Sequence, residues 1–381
     1  MSMTPKRRIV LSIGSAGLAA ALAVSTLGCP GPDSRRTRRY KKSMLQESLQ
    51  RFETTGLVIG TFPLATNAVV DGDTIRVSGL KTTLRLSAID TEETFKSDKD
   101  RRLYEQGWDF YLKTMTDDGR KLAKMATPLG DEAKKFAEAF FEGVSEVRLE
   151  RDHPKEIRGR YDRYLAYVFA KKDGIWVNYN LECVRAGMSP YFTKYAYSRR
   201  FHKEFVAAQE EARKAQRGIW DPKKEHYNDY DRRLAWWNAR ADFIQAFEEE
   251  AKGKPNYIVL TNWDALRRLG EHLDKEVVLL ASVASIKLGD KGPTRVMLAR
   301  RRGADFPLIF FDKDVFGSSG IARFSGEYVR VTGRVAKWFN KFRKRDELQI
   351  VVSLPGQIKG CDKLPPSDRW NPEKPEGEKD Y

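Results

Sequence analysis

Two stretches hold the residues best suited to chemistry: VVDGDTIRV at 69–77 and TTLRLSAIDTEET at 82–94. Val and Ile alternate with polar residues in the first, the pattern of a half-buried strand, yet it carries two carboxylates around a glycine. If residues 73–77 and 84–89 pair as a hairpin, Asp73 at the start of one strand comes beside Asp90 at the end of the other. Two carboxylates brought together repel unless a cation sits between them, and oxygen ligands suit a hard ion, Ca²⁺ or Mg²⁺, better than zinc. Arg85 lies within the second strand and Glu93 just beyond it. A divalent ion, a guanidinium and a free carboxylate are the parts of a phosphoryl-transfer site. The cations stabilise charge on phosphorus, and the carboxylate activates water. A planar guanidinium can hold two phosphate oxygens at once, and one more such cation is expected.

These residues need strands to hold them. Runs of strand character are TGLVIGTF, NAVVDGDTIRV, TTLRLSAID, EVRLERD and RYLAYVFAK, interrupted by a polar, helical segment between Phe95 and Val144. Helical patterns follow in VNYNLECVRAG and FHKEFVAAQEEARKAQRGIW, the second stopped by Gly218. Strands first and helices after predict a β-rich α+β fold, a barrel or sheet packed by a few helices. Leu234, Trp237, Ala241, Ile244 and Phe247 recur at helical spacing and predict a connecting helix with one apolar stripe. NWDALRRLGEHL reads as a short helix capped near Thr261 or Asn262. Strands then return in KEVVLLASVASIKL, TRVMLARR, FPLIFFDK, EYVRVTGRVAKWF and ELQIVVSLP, predicting a second small barrel with Phe310 and Phe311 in its core.

DGDTIRV, RLSAIDTEET and RGRYDRYLAYVFA, in that order, resemble the signatures of the thermonuclease family, the staphylococcal-nuclease-like calcium-dependent nucleases. The resemblance runs on through VNYNLECVRAGM to EARKAQRGIWD and covers 57–221. It implies an OB-type five-stranded barrel that cuts DNA and RNA and leaves 3′-phosphates. It places metal-ligand carboxylates at Asp73 and Asp90 and a calcium-binding carbonyl at Thr91. The catalytic glutamate falls on Glu93, the phosphate-binding arginines on Arg85 and Arg163, and substrate-contacting tyrosines on Tyr161 and Tyr195. This sequence departs from the family where Glu92 replaces a customary Pro, which implies a looser turn and extra negative charge beside the site. The segment from Phe95 to Gly130 is also longer than the family's, either a substrate selector or a surface helix.

The region 269–360 resembles an OB-fold domain. In it, RVAKWFNKFRKRDELQI interleaves aromatics with cations, and Trp338, Lys341 and Arg343 are its candidate nucleic-acid contacts. A solvated charged hairpin or a contact with anionic lipid are the alternatives for that loop.

Charge and termini give the setting. The formal charge is +16; residues 1–28 contribute Lys6, Arg7 and Arg8 and no acids, so the remainder carries 16 less 3, or +13. Such a balance suits a polyanionic partner. KRRIVLSIGSAGLAAALAVSTLGC has the anatomy of an export signal (1–28) ending at a lipoprotein-type cleavage site, with Cys29 as the lipidated residue. An uncleaved anchor or a plain signal peptide is the alternative. A basic tether (29–56) follows, then the nuclease-like domain (57–221), a connecting helical segment (222–268), the OB-like domain (269–360) and a polar, disordered tail (361–381). The expected location is the bacterial cell envelope, lipid-anchored, as a monomer without a protein partner. Cys183 reads as a small buried hydrophobe and Cys361 as part of the tail; whether they pair is open. The four histidines are scattered without HxxxH spacing, which argues against zinc and histidine-based nuclease chemistry. The rival to an enzyme is a catalytically inactive, membrane-tethered nucleic-acid-binding protein.

Overall fold

The structure is a computed structural model that describes residues 57–80, 82–156, 163–300, 304–341 and 344–363. The expected signal and tether with Cys29, Tyr161, Arg343 and residues from 364 lie outside the described residues.

Strands β1 (Val58–Asp71), β2 (Thr74–Val77), β3 (Leu84–Leu86), β4 (Glu146–Glu150) and β5 (Tyr164–Lys172) pair in the order β3-β2-β1-β4-β5. A parallel β3–β5 pairing closes them into a five-stranded barrel, and β6 (Ile175–Asn178) adds to β5. This is the OB-type α+β architecture that the sequence predicts. Alternation explains the interior: Ile75, Leu84, Leu86, Val147, Leu149, Ala166 and Val168 turn inward and are buried, while Arg76 and Arg85 between them turn outward. Helices Pro128–Phe141, Tyr179–Arg185 and His202–Lys214 cover this core, contributing Ala137, Phe141, Tyr179, Cys183 and Phe205.

The sequence divides the first strands differently from the structure. TGLVIGTF and NAVV form one strand, β1, whose pairing with β2 shifts register at Leu64/Val69 and Val69/Asp71, with Asn67 at φ 53°. Gly72 and Asp73 form the turn into β2, so the carboxylates flank a chain reversal rather than occupy a strand interior, as Asp-Gly chemistry favours. Gly72 is required by contact: a Cβ there would lie 2.8 Å from the Thr91 side chain and 2.9 Å from Ala133.

The segment between Phe95 and Gly130 contains the helices Asp98–Tyr104 and Trp108–Thr116. It builds a small aromatic core of Phe95, Tyr111, Met125 and Leu129 against Ile219, Tyr227 and Tyr230. The insertion is therefore anchored to the segment that follows the first barrel.

The second half holds β7 (Tyr257–Val259), β8 (Glu276–Lys287), β9 (Thr294–Leu298), β10 (Phe306–Phe310), β11 (Tyr328–Asn340), β12 (Arg345–Val351) and β13 (Ile358–Gly360). Strands β10-β9-β8-β11-β12 form a second ring, closed by parallel β10–β12 pairing, which repeats the strand order of the first. Phe310 is in its core as expected, but Phe311 falls just past the end of β10 and is 69% exposed.

The helix Tyr230–Glu250 joins the two halves, and its predicted stripe, Leu234, Trp237, Ala241, Ile244 and Phe247, is buried. Ile244 and Phe247 pack with Val278, Leu280 and Tyr328 of the second ring. Arg240 is buried as well, ion-paired to buried Glu327 at 2.5 Å and donating to the carbonyls of Lys194 and Gly326 at 3.1 Å. Cys361, read as part of the polar tail, is buried and directs its thiol toward the Ala239 carbonyl at 3.6 Å. Cys183 and Cys361 are both free thiols, so no disulfide joins them. The helix in NWDALRRLGEHL runs Ala265–Glu271 and starts after Asp264, later than the expected cap. Among the described residues no helix is long and apolar enough to cross a membrane.

Candidate active site

Asp73 leaves the β1–β2 turn 3% exposed, its carboxylate accepting from the Thr74 hydroxyl at 2.8 Å and the Thr91 amide at 3.1 Å. Thr74 pairs with Arg85 across β2–β3, which sets Arg85 beside Asp73. The Arg85 guanidinium contacts both carboxylates, one nitrogen to Asp73 and the other to Asp90. The hairpin thus brings the two carboxylates together on the Arg85 guanidinium, where their spacing predicts a divalent ion. Burial disfavours the guanidinium charge, but Asp73 and Asp90, with Tyr195 adding, outweigh it and hold Arg85 above its ordinary pKa. Burial pushes the Asp73 carboxyl up and Asp90 adds to this, while Arg85 pulls it back. The pair of carboxylates needs a positive neighbour.

Asp90 is oriented from a distance: its amide donates to the buried Ser189 hydroxyl at 2.8 Å, which donates in turn to the Pro190 carbonyl. Glu93 is half exposed and has Lys96 as its ion-pair neighbour at 3.9 Å. Burial and then Asp73 raise its pKa, against the pull of Lys96. Asp71, the other carboxylate of the DGD turn, takes a different role. It accepts from Thr94 at 3.0 Å and pairs with Lys96 at 2.8 Å, next to Glu93 rather than beside Asp73.

Arg163 stands immediately before β5, whose parallel register with β3 sets Arg85 opposite Leu165. Two residues ahead of Leu165, Arg163 occupies the same outer face as Arg85 on the neighbouring strand. Tyr195 is 60% exposed, close enough to Arg85 to affect its charge, and packs against Phe192 with ring centroids 5.6 Å apart.

Glu92 does not place free charge beside these groups. It is buried, accepts from the Tyr227 amide and the Tyr230 hydroxyl at 2.7 Å each, and is bonded by the Thr127 hydroxyl. Sequence reading missed Thr127, Ser189, Tyr227 and Tyr230, because they lie 35 to 138 positions from the residues they hold and carry no local signature.

On the second ring, Trp338 lies opposite Glu347 on the β11–β12 hairpin, with the Arg295 guanidinium 5.6 Å from its ring centre. Phe339 and Lys341 are exposed there. The basic character of the hairpin is tempered by Glu347, which accepts from Asn340 at 2.9 Å.

Among the described residues no three His, Cys, Asp or Glu side chains converge as metal ligands. The donor chemistry nonetheless fits a hard divalent ion: two oxygen ligands, one buried, already share one cationic partner.

These carboxylates and the arginine are carried by a closed OB-type barrel. Residues 83–222 match the family of staphylococcal nuclease homologues, so the chain carries a domain of this nuclease-type family. The match begins after the Asp73 turn and ends before Tyr227. The chain is similar to an uncharacterized protein of Methanocaldococcus jannaschii, 29% identical over 159 residues, 40% of this chain and 69% of that one. It is also similar to an uncharacterized protein of Bacillus anthracis, 29% identical over 171 residues, 43% of this chain and 65% of that one.

Proposed function

We propose that this chain is an exported, lipid-anchored, calcium-dependent nuclease that hydrolyses phosphodiester bonds of DNA and RNA with little sequence preference. The observation that carries the reading is the convergence of Asp73 and Asp90 on Arg85 one turn before Glu93. Asp73, Asp90 and the Thr91 carbonyl would hold Ca²⁺, which when bound supplies positive charge for a phosphate oxygen. Arg85 and Arg163, on one outer face, neutralise charge that grows on the phosphate oxygens as water adds to phosphorus. Glu93, reachable from solvent, takes the proton of that water. The bond from phosphorus to the 5′ oxygen breaks, that oxygen takes a proton from solvent, and 3′-phosphate and 5′-hydroxyl ends remain. Tyr195 contacts substrate beside Arg85; Tyr161, outside the described residues, is the second tyrosine assigned to substrate by the family resemblance. Export and lipidation at Cys29 rest on the N-terminal pattern alone and would place the protein where calcium is plentiful.

The test is cleavage of single- and double-stranded DNA and RNA by the purified chain, with Ca²⁺ or with excess chelator. Cutting is expected with Ca²⁺ and a loss of at least 100-fold in chelator; Asp73→Asn is expected to shift the Ca²⁺ dependence to higher concentration. Binding without any cutting would favour the inactive, tethered nucleic-acid-binding protein.

For the second ring, Trp338, Lys341 and Arg343 are proposed to bind single strands. Trp338→Ala is expected to weaken single-stranded DNA binding by about 1–3 kcal/mol, read by fluorescence anisotropy, and to leave the cleavage of a short substrate unchanged. An unchanged affinity would return the hairpin to a solvated charged surface.

A further inference from the structure

The turn that carries Glu93 is gripped on two sides. On one side, the N-terminus of the helix Pro128–Phe141 presses against it: the Thr127 amide donates to the Glu93 carbonyl at 3.0 Å, and a Cβ on Gly130 would lie 2.0 Å from that oxygen. The Thr127 hydroxyl accepts from the Gly130 amide at 3.0 Å while bonding Glu92. On the other side stands the connecting segment. The Tyr227 amide and the Tyr230 hydroxyl both end on Glu92 Oε1, and the Tyr227 hydroxyl accepts from the Glu93 amide at 3.5 Å and donates to the Met125 carbonyl at 2.7 Å. Glu92, Tyr227 and Tyr230 are all buried, so these bonds act where water cannot replace them. Tyr227 and Tyr230 fall beyond the residues that match the nuclease family.

We propose that Glu92 is a positioning residue, through which the connecting segment outside the nuclease-like domain fixes the turn that presents Glu93 to substrate. The inference rests on the nuclease reading for its effect on rate, but the hold on the turn stands on its own. A backbone fixed by a buried carboxylate with three donors needs no ring in the chain at this position. The segment after the domain therefore completes the active site, and a fragment ending at the family boundary would lack that support.

The experiment compares the full chain with Glu92→Ala, Glu92→Gln and Tyr230→Phe. It measures kcat and KM on one oligonucleotide, corrected for the folded fraction at assay temperature, together with amide hydrogen exchange at Glu93 and Thr94. Glu92→Ala is expected to lower kcat at least 10-fold with KM within twofold, and Tyr230→Phe to lower it threefold or more. Glu92→Gln keeps an acceptor for Tyr227 and Tyr230 and is expected to recover most of the rate. Exchange at Glu93 and Thr94 should speed up at least 10-fold in Glu92→Ala, with distant core amides unchanged. Should Glu92→Ala not fold, Tyr230→Phe decides by the same two readouts. Folded variants with kcat within twofold of the parent and unchanged exchange would overturn the proposal. A parent chain that cuts nothing would sink the nuclease reading, while the exchange measurement would still decide whether Glu92 holds the turn.

Discussion

Glu93→Gln in the full chain is expected to lower kcat by about 10²–10⁴, the range in which positioned proton transfer contributes, while KM and Ca²⁺ affinity stay within a few-fold. The structure makes this substitution unusually easy to interpret. The Glu93 side chain is half exposed, and its ion pair is a 3.9 Å contact with a Lys96 that is itself more than half exposed. Surface pairs of that kind are worth little, so the fold should lose no more than about 0.5 kcal/mol. The bonds that fix this residue run through its backbone, to Thr127 and Tyr227, and the amide side chain leaves them in place. Arg85→Lys differs in kind, because it removes a planar contact with both Asp73 and Asp90 and so alters the site before substrate arrives. Single-turnover cleavage with thermal melts of both proteins is the check. A Gln variant that cuts within threefold of the parent would remove Glu93 from the chemistry and shift attention to Asp71, which shares Lys96 with it.

What could be read from the sequence follows from the range of the interactions. The pairing of β2 with β3 is local, twelve positions end to end, and so the meeting of Asp73, Arg85 and Asp90 is legible from alternation and order. The strand runs are legible in both halves, but closure of the first is implied only by the family resemblance, because the parallel β3–β5 pairing joins strands far apart in the chain. The stripe on the helix Tyr230–Glu250 obeys a 3.6-residue period and is likewise visible. Polar groups that cross between elements have no period. Arg233 and Arg240 fall on the face of that apolar stripe, and both are buried where Asp229 and Glu327 meet them. Glu92 looks like unwanted charge beside a catalytic site until Tyr227 and Tyr230 arrive from more than a hundred residues away. Cys361 is likewise buried, against a helix, from what reads as a polar tail, while Phe311 fails in the opposite direction, exposed just past the end of β10.

Glu327→Ala is expected to cost about 3–5 kcal/mol, the largest single loss of stability that this structure points to. Glu327 is 5% exposed and meets Arg240, 1% exposed, at 2.5 Å; its second oxygen accepts from the Trp236 indole at 3.0 Å. Removing the carboxylate leaves a guanidinium buried without its counter-charge and an indole without its acceptor. The Gly326 and Lys194 carbonyls that remain bonded to Arg240 are dipoles and cannot neutralise it. Replacing both partners together, Arg240→Met with Glu327→Leu, avoids the uncompensated charge and should recover more than half of the loss. The measurement is urea unfolding of the parent, the single variant and the double variant, followed by tryptophan fluorescence. A cost below about 1 kcal/mol for Glu327→Ala would mean that water reaches Arg240 and that the pair is not the joint between helix and second ring. A full loss in the single variant that the double variant repairs would establish the connecting helix as a rigid joint. That helix is fixed at Arg240 to the second ring, and it begins at the tyrosine that bonds Glu92. Loosening it at Glu327 should then also raise amide exchange at Glu93, whereas a pair that acts locally would leave the turn that carries Glu93 unchanged.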